Sequence, residues 1–298
     1  MSTVRVWVTG AGGLIGSAVA RVAAADRSAR DRVAVVPLTR RDLDLENTVA
    51  LRKRFEEDRP SVIVHCAGLT RSPDCEADPE RARRLNVDVT AQLASLPEVT
   101  LVFLSTDLVF DGTRGAYTES DPARPLSAYG RSKLGGEQET LRFPRHLVVR
   151  TSLNYGHSPT GNRSFNEEMV AAARAGRTLS LFRDEFRCPI PAAVTARALW
   201  ELVLRITGPG PTPAGLLHLA GTERLSRWEI GCLLAGVFPE LRGRIQPSSI
   251  REYTGAPRPP DTSLDCSKIQ SWLSFPLPRF SEWLRENAPS GGACPSGS

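Results

Sequence analysis

The residues Val4-Arg5-Val6-Trp7-Val8-Thr9 run directly into Gly10-Ala11-Gly12-Gly13-Leu14-Ile15-Gly16, and this junction narrows the available folds more than any other stretch. An apolar strand entering a glycine turn that opens a helix is the start of a strand-turn-helix unit. Ile15, Ala18, Val19 and Val22 follow at helical spacing. Gly10 permits a tight turn, Gly13 lets backbone amides approach a ligand at the helix start, and Gly16 lets the helix pack close. In isolation, an ordinary glycine-rich turn would read the same way.

The alternation continues. Val33 to Leu38 reads as a strand, Asn47 caps a charged helix through Arg59, and Ser61 to Cys66 is a strand. Pro79 to Leu96 is helical, Thr100 to Ser105 is a strand, and a helix over Tyr129 to Leu141 precedes a strand over His146 to Arg150. Short strands that are apolar throughout, separated by helices, belong to parallel sheets covered on both faces. The predicted fold is therefore α/β, a doubly wound parallel (Rossmann) sheet with a smaller mixed α/β substrate-binding region. Residues 1–155 form the dinucleotide-binding part, with returns around 190–220; residues 156–288 are mainly substrate-binding, and 289–298 are a flexible tail. Strands near Leu179 and Leu216 are expected to rejoin the main sheet, and Ser226 with Glu229 has capping-box spacing.

In such a sheet, ligands sit at the carboxyl ends of the strands. That rim collects the glycine turn, Thr39 to Arg41, Ala67 and Gly68, Thr106 and Thr151. The turn, with Gly10, Gly13, Leu14, Ile15 and Gly16, suits a pyrophosphate. At the end of the second strand, Thr39-Arg40-Arg41 offers two guanidiniums and no carboxylate, which favours NADP(H) over NAD(H). Asp42 and Asp44 follow closely, so both arginines facing solvent is the competing reading.

Tyr129 and Lys133 stand four residues apart on one helical face. A nearby ammonium and a cationic nicotinamide would lower the phenol's pKa from about 10, fitting Tyr129 to protonate a ketone as hydride arrives. Lys133 also suits the nicotinamide ribose, and the Thr106 hydroxyl suits the substrate oxygen. Tyr-x-x-x-Lys alone occurs by chance in many helices. Its conjunction with the glycine turn and with Ser105-Thr106 carries the reading.

Composition excludes little but points the same way. The 38 Lys and Arg against 33 Asp and Glu give a formal charge of +5, spread along the chain without a basic tract interleaved with aromatics, so no nucleic-acid partner is expected. Six separated cysteines show no metal-ligand spacing and are expected to be reduced thiols, with no metal site. His65 and Cys66 end a buried strand and read as core. Without a signal pattern or an apolar run near 18 residues, a cytoplasmic location and no membrane partner are expected.

These residues resemble the extended short-chain dehydrogenase/reductases, in particular the dTDP-4-dehydrorhamnose reductase group. The likeness rests on the glycine turn, Leu43-Asp44-Leu45, Ser105-Thr106-Asp107-Leu108-Val109-Phe110-Asp111-Gly112, Pro125 to Glu137, Arg150-Thr151-Ser152 and Arg258-Pro259. It implies a catalytic trio of Thr106, Tyr129 and Lys133, with Asp44 and Leu45 by the adenine and Cys66, Ala67 and Gly68 along the cofactor. It also implies a nucleotide sugar received by the carboxy-terminal half, and possible homodimers.

The departures fall on the substrate side. Leu153 stands where a Trp is common, Thr70-Arg71-Ser72-Pro73-Asp74 displaces a carboxylate, and Arg187 and Ile190 replace a Gly and a Thr. The expected substrate-binding set is Thr70, Asp107, Leu153, Asn154, Tyr155, Phe186, Arg187 and Arg258. The leading expectation is an NADPH-dependent reductase of a nucleotide-linked 4-keto sugar or related ketone. One alternative is a non-catalytic NADP-binding subunit resembling the methionine adenosyltransferase β branch, to which Arg71 to Asp74 is closer. The other is a nucleotide-sugar epimerase or dehydratase.

Overall fold

A computed structural model describes residues 3–287; the expected tail at 289–298 lies outside them. The amino-terminal half runs β1 (Val4–Thr9), α1 (Leu14–Ala25), β2 (Val33–Leu38), α2 (Thr48–Asp58), β3 (Val62–His65), α3 (Ser72–Ala77), α4 (Pro79–Arg83), α5 (Val89–Ala94), β4 (Thr100–Thr106), α6 (Ala128–Leu141) and β5 (Leu147–Thr151). The remainder holds β6 (Asn154–Tyr155), α7 (Phe165–Arg174), β7 (Leu179–Phe182), β8 (Phe186–Arg187), β9 (Ile190–Pro191), α8 (Ala192–Thr207), β10 (Gly215–Leu219), β11 (Leu225–Ser226), α9 (Arg227–Val237) and β12 (Ile245–Ser248).

The main sheet has strand order β10-β5-β4-β3-β1-β2, and every pairing in it is parallel. All six carboxyl ends therefore open on one edge. Successive side chains alternate faces. Val6, Val8, Val62, Val64, Val102 and Val149 pack with α1 and α8, while Trp7, Ile63, Leu101, Phe103 and Val148 pack with Leu51 and Phe55 of α2 and Leu93 of α5. Each such fully buried aliphatic or aromatic side chain contributes roughly 1.5–3 kcal/mol. The apolar runs thus make a doubly covered sheet because neither face of a strand meets water.

Local signals set the element ends. Asn47 Oδ1 accepts from Ala50 N (3.0 Å) to start α2, and Arg59 ends it in the left-handed region at φ 46°. Ser226 and Glu229 form the expected capping box on α9. The helical stretch predicted from Pro79 contains a π turn at Arg84–Asp88 between α4 and α5.

Of the two strands expected to return, the one at Leu216 joins the main sheet beside β5. Leu179 does not: β7 pairs with β12 in a separate two-stranded sheet. The reason is a separate core. Leu181 of β7 packs with Met169, Val170, Ile230, Leu234, Phe280 and Leu284, away from the main sheet. Among the described residues, no helix is long and apolar enough to cross a membrane.

Candidate active site

The glycine turn is built as its spacing requires. Gly10 has φ 70°, and a Cβ there would meet Ala67 N at 2.6 Å; one on Gly16 would meet Gly10 O at 2.4 Å. Strand, turn and helix are therefore in backbone contact. Gly13 caps α1 without any side-chain bond, and the first turn carries no acidic residue. A helix start left with free amides at the sheet's carboxyl edge fits a pyrophosphate.

At the end of β2, Arg40 is largely exposed, 3.9 Å from Asp44 and 3.6 Å from Glu46, and Arg41 is exposed. The carboxylate of Asp42, which follows closely in sequence, turns back onto Thr39. Asp42 accepts from Thr39 N (2.8 Å) and Thr39 Oγ1 (2.6 Å), and these bonds lower its pKa. It is committed to the turn. Leu45 packs against the core beside α2, while Asp44 accepts from Glu46 N (3.2 Å).

Along β3, His65 is fully buried, hydrogen-bonded to Thr9 Oγ1 (2.7 Å) and stacked on Phe103. Burial pushes the Cys66 thiol up to about 12. Ala67 is half-buried under Gly10, and Gly68 and Thr70 are exposed on the rim.

Thr106 closes β4, and Tyr129 and Lys133 come from α6, capped by Ser127 Oγ on Gly130 N (3.1 Å). Gly130 is what brings these elements together. A Cβ there would lie 2.3 Å from Leu108 O, so only a glycine lets the first turn of α6 rest on the turn after β4. The Thr106 hydroxyl stands beside Tyr129 and favours ionisation of its phenol.

The electrostatics differ from the expectation. Loss of water raises the Tyr129 pKa in the ligand-free chain, and the charged or titratable groups acting on it are Asp107, Cys75 and Arg187. Lys133 shares the helical face but its Nζ sits 3.9 Å from the Phe103 ring centre. Burial lowers its pKa to about 8, with Glu137 acting the other way.

The expected substrate residues divide. Asp107 and Arg187 are buried against one another in a salt bridge, not open to a ligand. Asn154 donates to Thr151 Oγ1 (3.1 Å) and Ser152 O (3.0 Å) and accepts from Thr195 Oγ1 (2.6 Å). Tyr155 is a core residue with Phe238, Phe280 and Trp283 around its ring. Its neighbours are apolar because it follows β5 into the second core. Leu153, Phe186 and Arg258 keep partial exposure. Phe186 carries the Arg224 guanidinium 3.5 Å from its ring centre. Arg258 lies against Phe182 and Tyr253 and engages Glu185 through Nη1 (2.9 Å).

A small cavity of about 40 Å³ is walled by Ser72, Pro73, Leu108 and Ser127, the last two each two residues from a member of the trio, and by Glu185, Tyr253 and Arg258. Residues 4–289 match the family described as RmlD substrate binding domain. The chain belongs to that family. Methionine adenosyltransferase 2 subunit beta of Rattus norvegicus is 31% identical over 281 residues, covering 90% of this chain and 82% of that protein. dTDP-4-dehydrorhamnose reductase of Sinorhizobium fredii is 30% identical over 291 residues, covering 94% and 95%. The crystal structure of dTDP-4-dehydrorhamnose reductase from Bacillus anthracis, in complex with NADP, shares the fold with a TM-score of 0.82 at 24% identity, covering 96% and 98%.

In this RmlD-family chain, one site-building residue escaped the sequence reading. Asn86, in the π turn, accepts from Leu69 N (2.8 Å) and donates to Leu69 O (2.9 Å) and Ser132 Oγ (2.9 Å). It ties the loop after β3 to α6. Its signal was a lone Asn on the inner face of a helix, which periodicity alone does not distinguish from a surface position.

Proposed function

We propose that this RmlD-family protein is an NADPH-dependent reductase of a nucleotide-linked 4-keto sugar, with Tyr129 as proton donor. The observation that carries this reading is the meeting of Thr106, at the end of β4, with Tyr129 and buried Lys133 of α6, at the carboxyl edge where the uncapped start of α1 also opens. Bound NADPH supplies the hydride. The amides of Leu14, Ile15 and Gly16 bind its pyrophosphate, and Arg40 and Arg41 stand at the strand end where a 2′-phosphate is read.

Tyr129 gives its proton to the substrate oxygen, which would otherwise develop as an alkoxide. Thr106 orients the phenol toward that oxygen. Lys133, on the same helical face, holds the nicotinamide ribose and restrains loss of charge balance when the phenol ionises. Leu108 and Ser127 wall the small cavity, and Arg258, which also walls it, offers a cation to a sugar-nucleotide diphosphate.

The test follows NADPH absorbance with a panel of dTDP-linked 4-keto-6-deoxyhexoses, dTDP-4-dehydrorhamnose among them. Turnover that falls at least about a hundredfold in Tyr129→Phe supports the assignment; no turnover with any member, or turnover indifferent to Tyr129→Phe, defeats it. The likeness to methionine adenosyltransferase 2 subunit beta favours a second reading, a cofactor-binding regulatory subunit. Stable association with a methionine adenosyltransferase catalytic chain, without ketone reduction, would select it.

A further inference from the structure

Asp107 follows Thr106 directly and is fully buried. Its carboxylate accepts hydrogen bonds from Thr106 Oγ1 (3.2 Å), Ser152 Oγ (2.6 Å), Thr262 Oγ1 (3.2 Å) and both Nε and Nη2 of Arg187. The donors come from the ends of β4 and β5, from β8, and from the segment after Pro260. One carboxylate thus joins the sheet to the carboxy-terminal region directly under the reacting side chains.

Arg187 is equally committed. It is 5% exposed, with Nη1 also 3.8 Å from Glu185 Oε1, so releasing it to grip a substrate anion would strand Asp107 as an unpaired buried charge. Thr106 Oγ1 accepts from Leu108 N (3.2 Å) while donating to Asp107. A hydroxyl has one proton and two acceptor sites. With the proton held by Asp107 and one acceptor site by Leu108, one acceptor site remains for the Tyr129 hydroxyl.

We propose that Asp107 and Arg187 are a positioning pair for proton transfer: Arg187 holds Asp107, Asp107 orients the Thr106 hydroxyl, and Thr106 aligns Tyr129, with neither charged residue binding substrate. The proposal rests on the reductase reading above. The charged and titratable groups acting on Tyr129 are Asp107 from the turn after β4, Arg187 from β8 and Cys75 from α3, while Lys133 lies one turn on along its own helix with its ammonium against Phe103. The Asp107 charge opposes ionisation of the phenol and the Arg187 charge favours it. The two substitutions therefore act with opposite sign.

The experiment measures kcat and KM across pH for Arg187→Met, Arg187→Lys, Asp107→Asn and the double variant Asp107→Asn/Arg187→Met, using NADPH and the best 4-keto sugar of the panel. Arg187→Met is expected to lower kcat roughly tenfold or more, with KM changed less than about threefold, and Arg187→Lys to recover most of the loss. Reduction needs the protonated phenol, so its alkaline limb moves to higher pH in Arg187→Met and to lower pH in Asp107→Asn. The double variant, which leaves no buried charge unpaired and so keeps the fold if a single variant does not, lies between them. A rise in KM with kcat intact would show Arg187 gripping substrate and overturn the proposal, as would limbs that do not separate.

Should the wild type reduce no member of the panel, the reductase reading fails by itself. The pair is then read in the NADP⁺-saturated protein by the ¹³Cζ resonances of its four tyrosines, with Tyr129 identified by its loss in Tyr129→Phe. A lower titration midpoint in Asp107→Asn supports the pair, and an unmoved one overturns it.

Discussion

Glu137 of α6 and Arg150 of β5 form a buried bidentate ion pair, with Arg150 Nε on Glu137 Oε1 at 2.9 Å and Nη2 on Oε2 at 2.6 Å. Ser105, one residue before Thr106, donates to the same carboxylate. The pair therefore pins the helix of Tyr129 and Lys133 to the strands bearing Thr106 and Thr151, one turn beyond Lys133. Both partners are almost fully buried, so removing one leaves a charge without compensation. Glu137→Ala is expected to cost about 3–5 kcal/mol, read by urea denaturation. A cost below about 1 kcal/mol would mean that helix packing alone holds α6 in place.

Gly130 makes a separate prediction about the same helix. With a Cβ placed 2.3 Å from Leu108 O and 2.8 Å from the Pro125 side chain, Gly130→Ala must push α6 away from the turn after β4. An overpacking cost of about 1–3 kcal/mol is expected, together with a fall in kcat approaching a hundredfold if Tyr129 shifts by about 1 Å. A folded Gly130→Ala protein with unchanged kcat would show that α6 tolerates the displacement.

The parts legible in the sequence were those coded locally. β1 and β2 fall on the residues that their apolar runs mark, and the cap at Asn47 lies where its side chain and spacing place it. The parallel order followed because buried strands leave no polar face to read. What stayed hidden depends on partners distant in the chain. Nothing near Arg187 announces that its guanidinium meets Asp107, and Tyr155 looks the same in sequence on a pocket wall or inside the second core. The shared helical face of Tyr129 and Lys133 is legible, but nothing near Lys133 announces that Phe103, brought in by β4, lies under its ammonium.

The exposed guanidiniums at the end of β2 predict cofactor choice. Arg40 is paired only loosely, at 3.6 Å or more, with exposed or half-exposed carboxylates, so turning toward a phosphate forfeits little. Replacing Arg40 and Arg41 together with alanine is expected to weaken NADPH binding about tenfold or more, the value of a charge-assisted contact, and to leave NADH binding nearly unchanged. Fluorescence titration with both cofactors measures this. Equal losses for the two would place the arginines away from the 2′-phosphate.

Lys133 predicts a stability that depends on pH. Its folded pKa is lowered to about 8 from 10.5 by burial, so at pH 7 the folded chain carries a buried ammonium at a cost on the order of 3 kcal/mol. Between about 8 and 10.5 the unfolded chain holds a proton that the folded one has released, and this group's contribution to stability rises with pH across that window. Lys133→Met should therefore be more stable than the wild type at pH 7, with the difference shrinking toward pH 10, while losing turnover. Urea melts of both proteins at the two pH values decide it. A gap that does not change with pH would mean that the ammonium is not the source of the cost, and that its place over Phe103 is already as favourable as water.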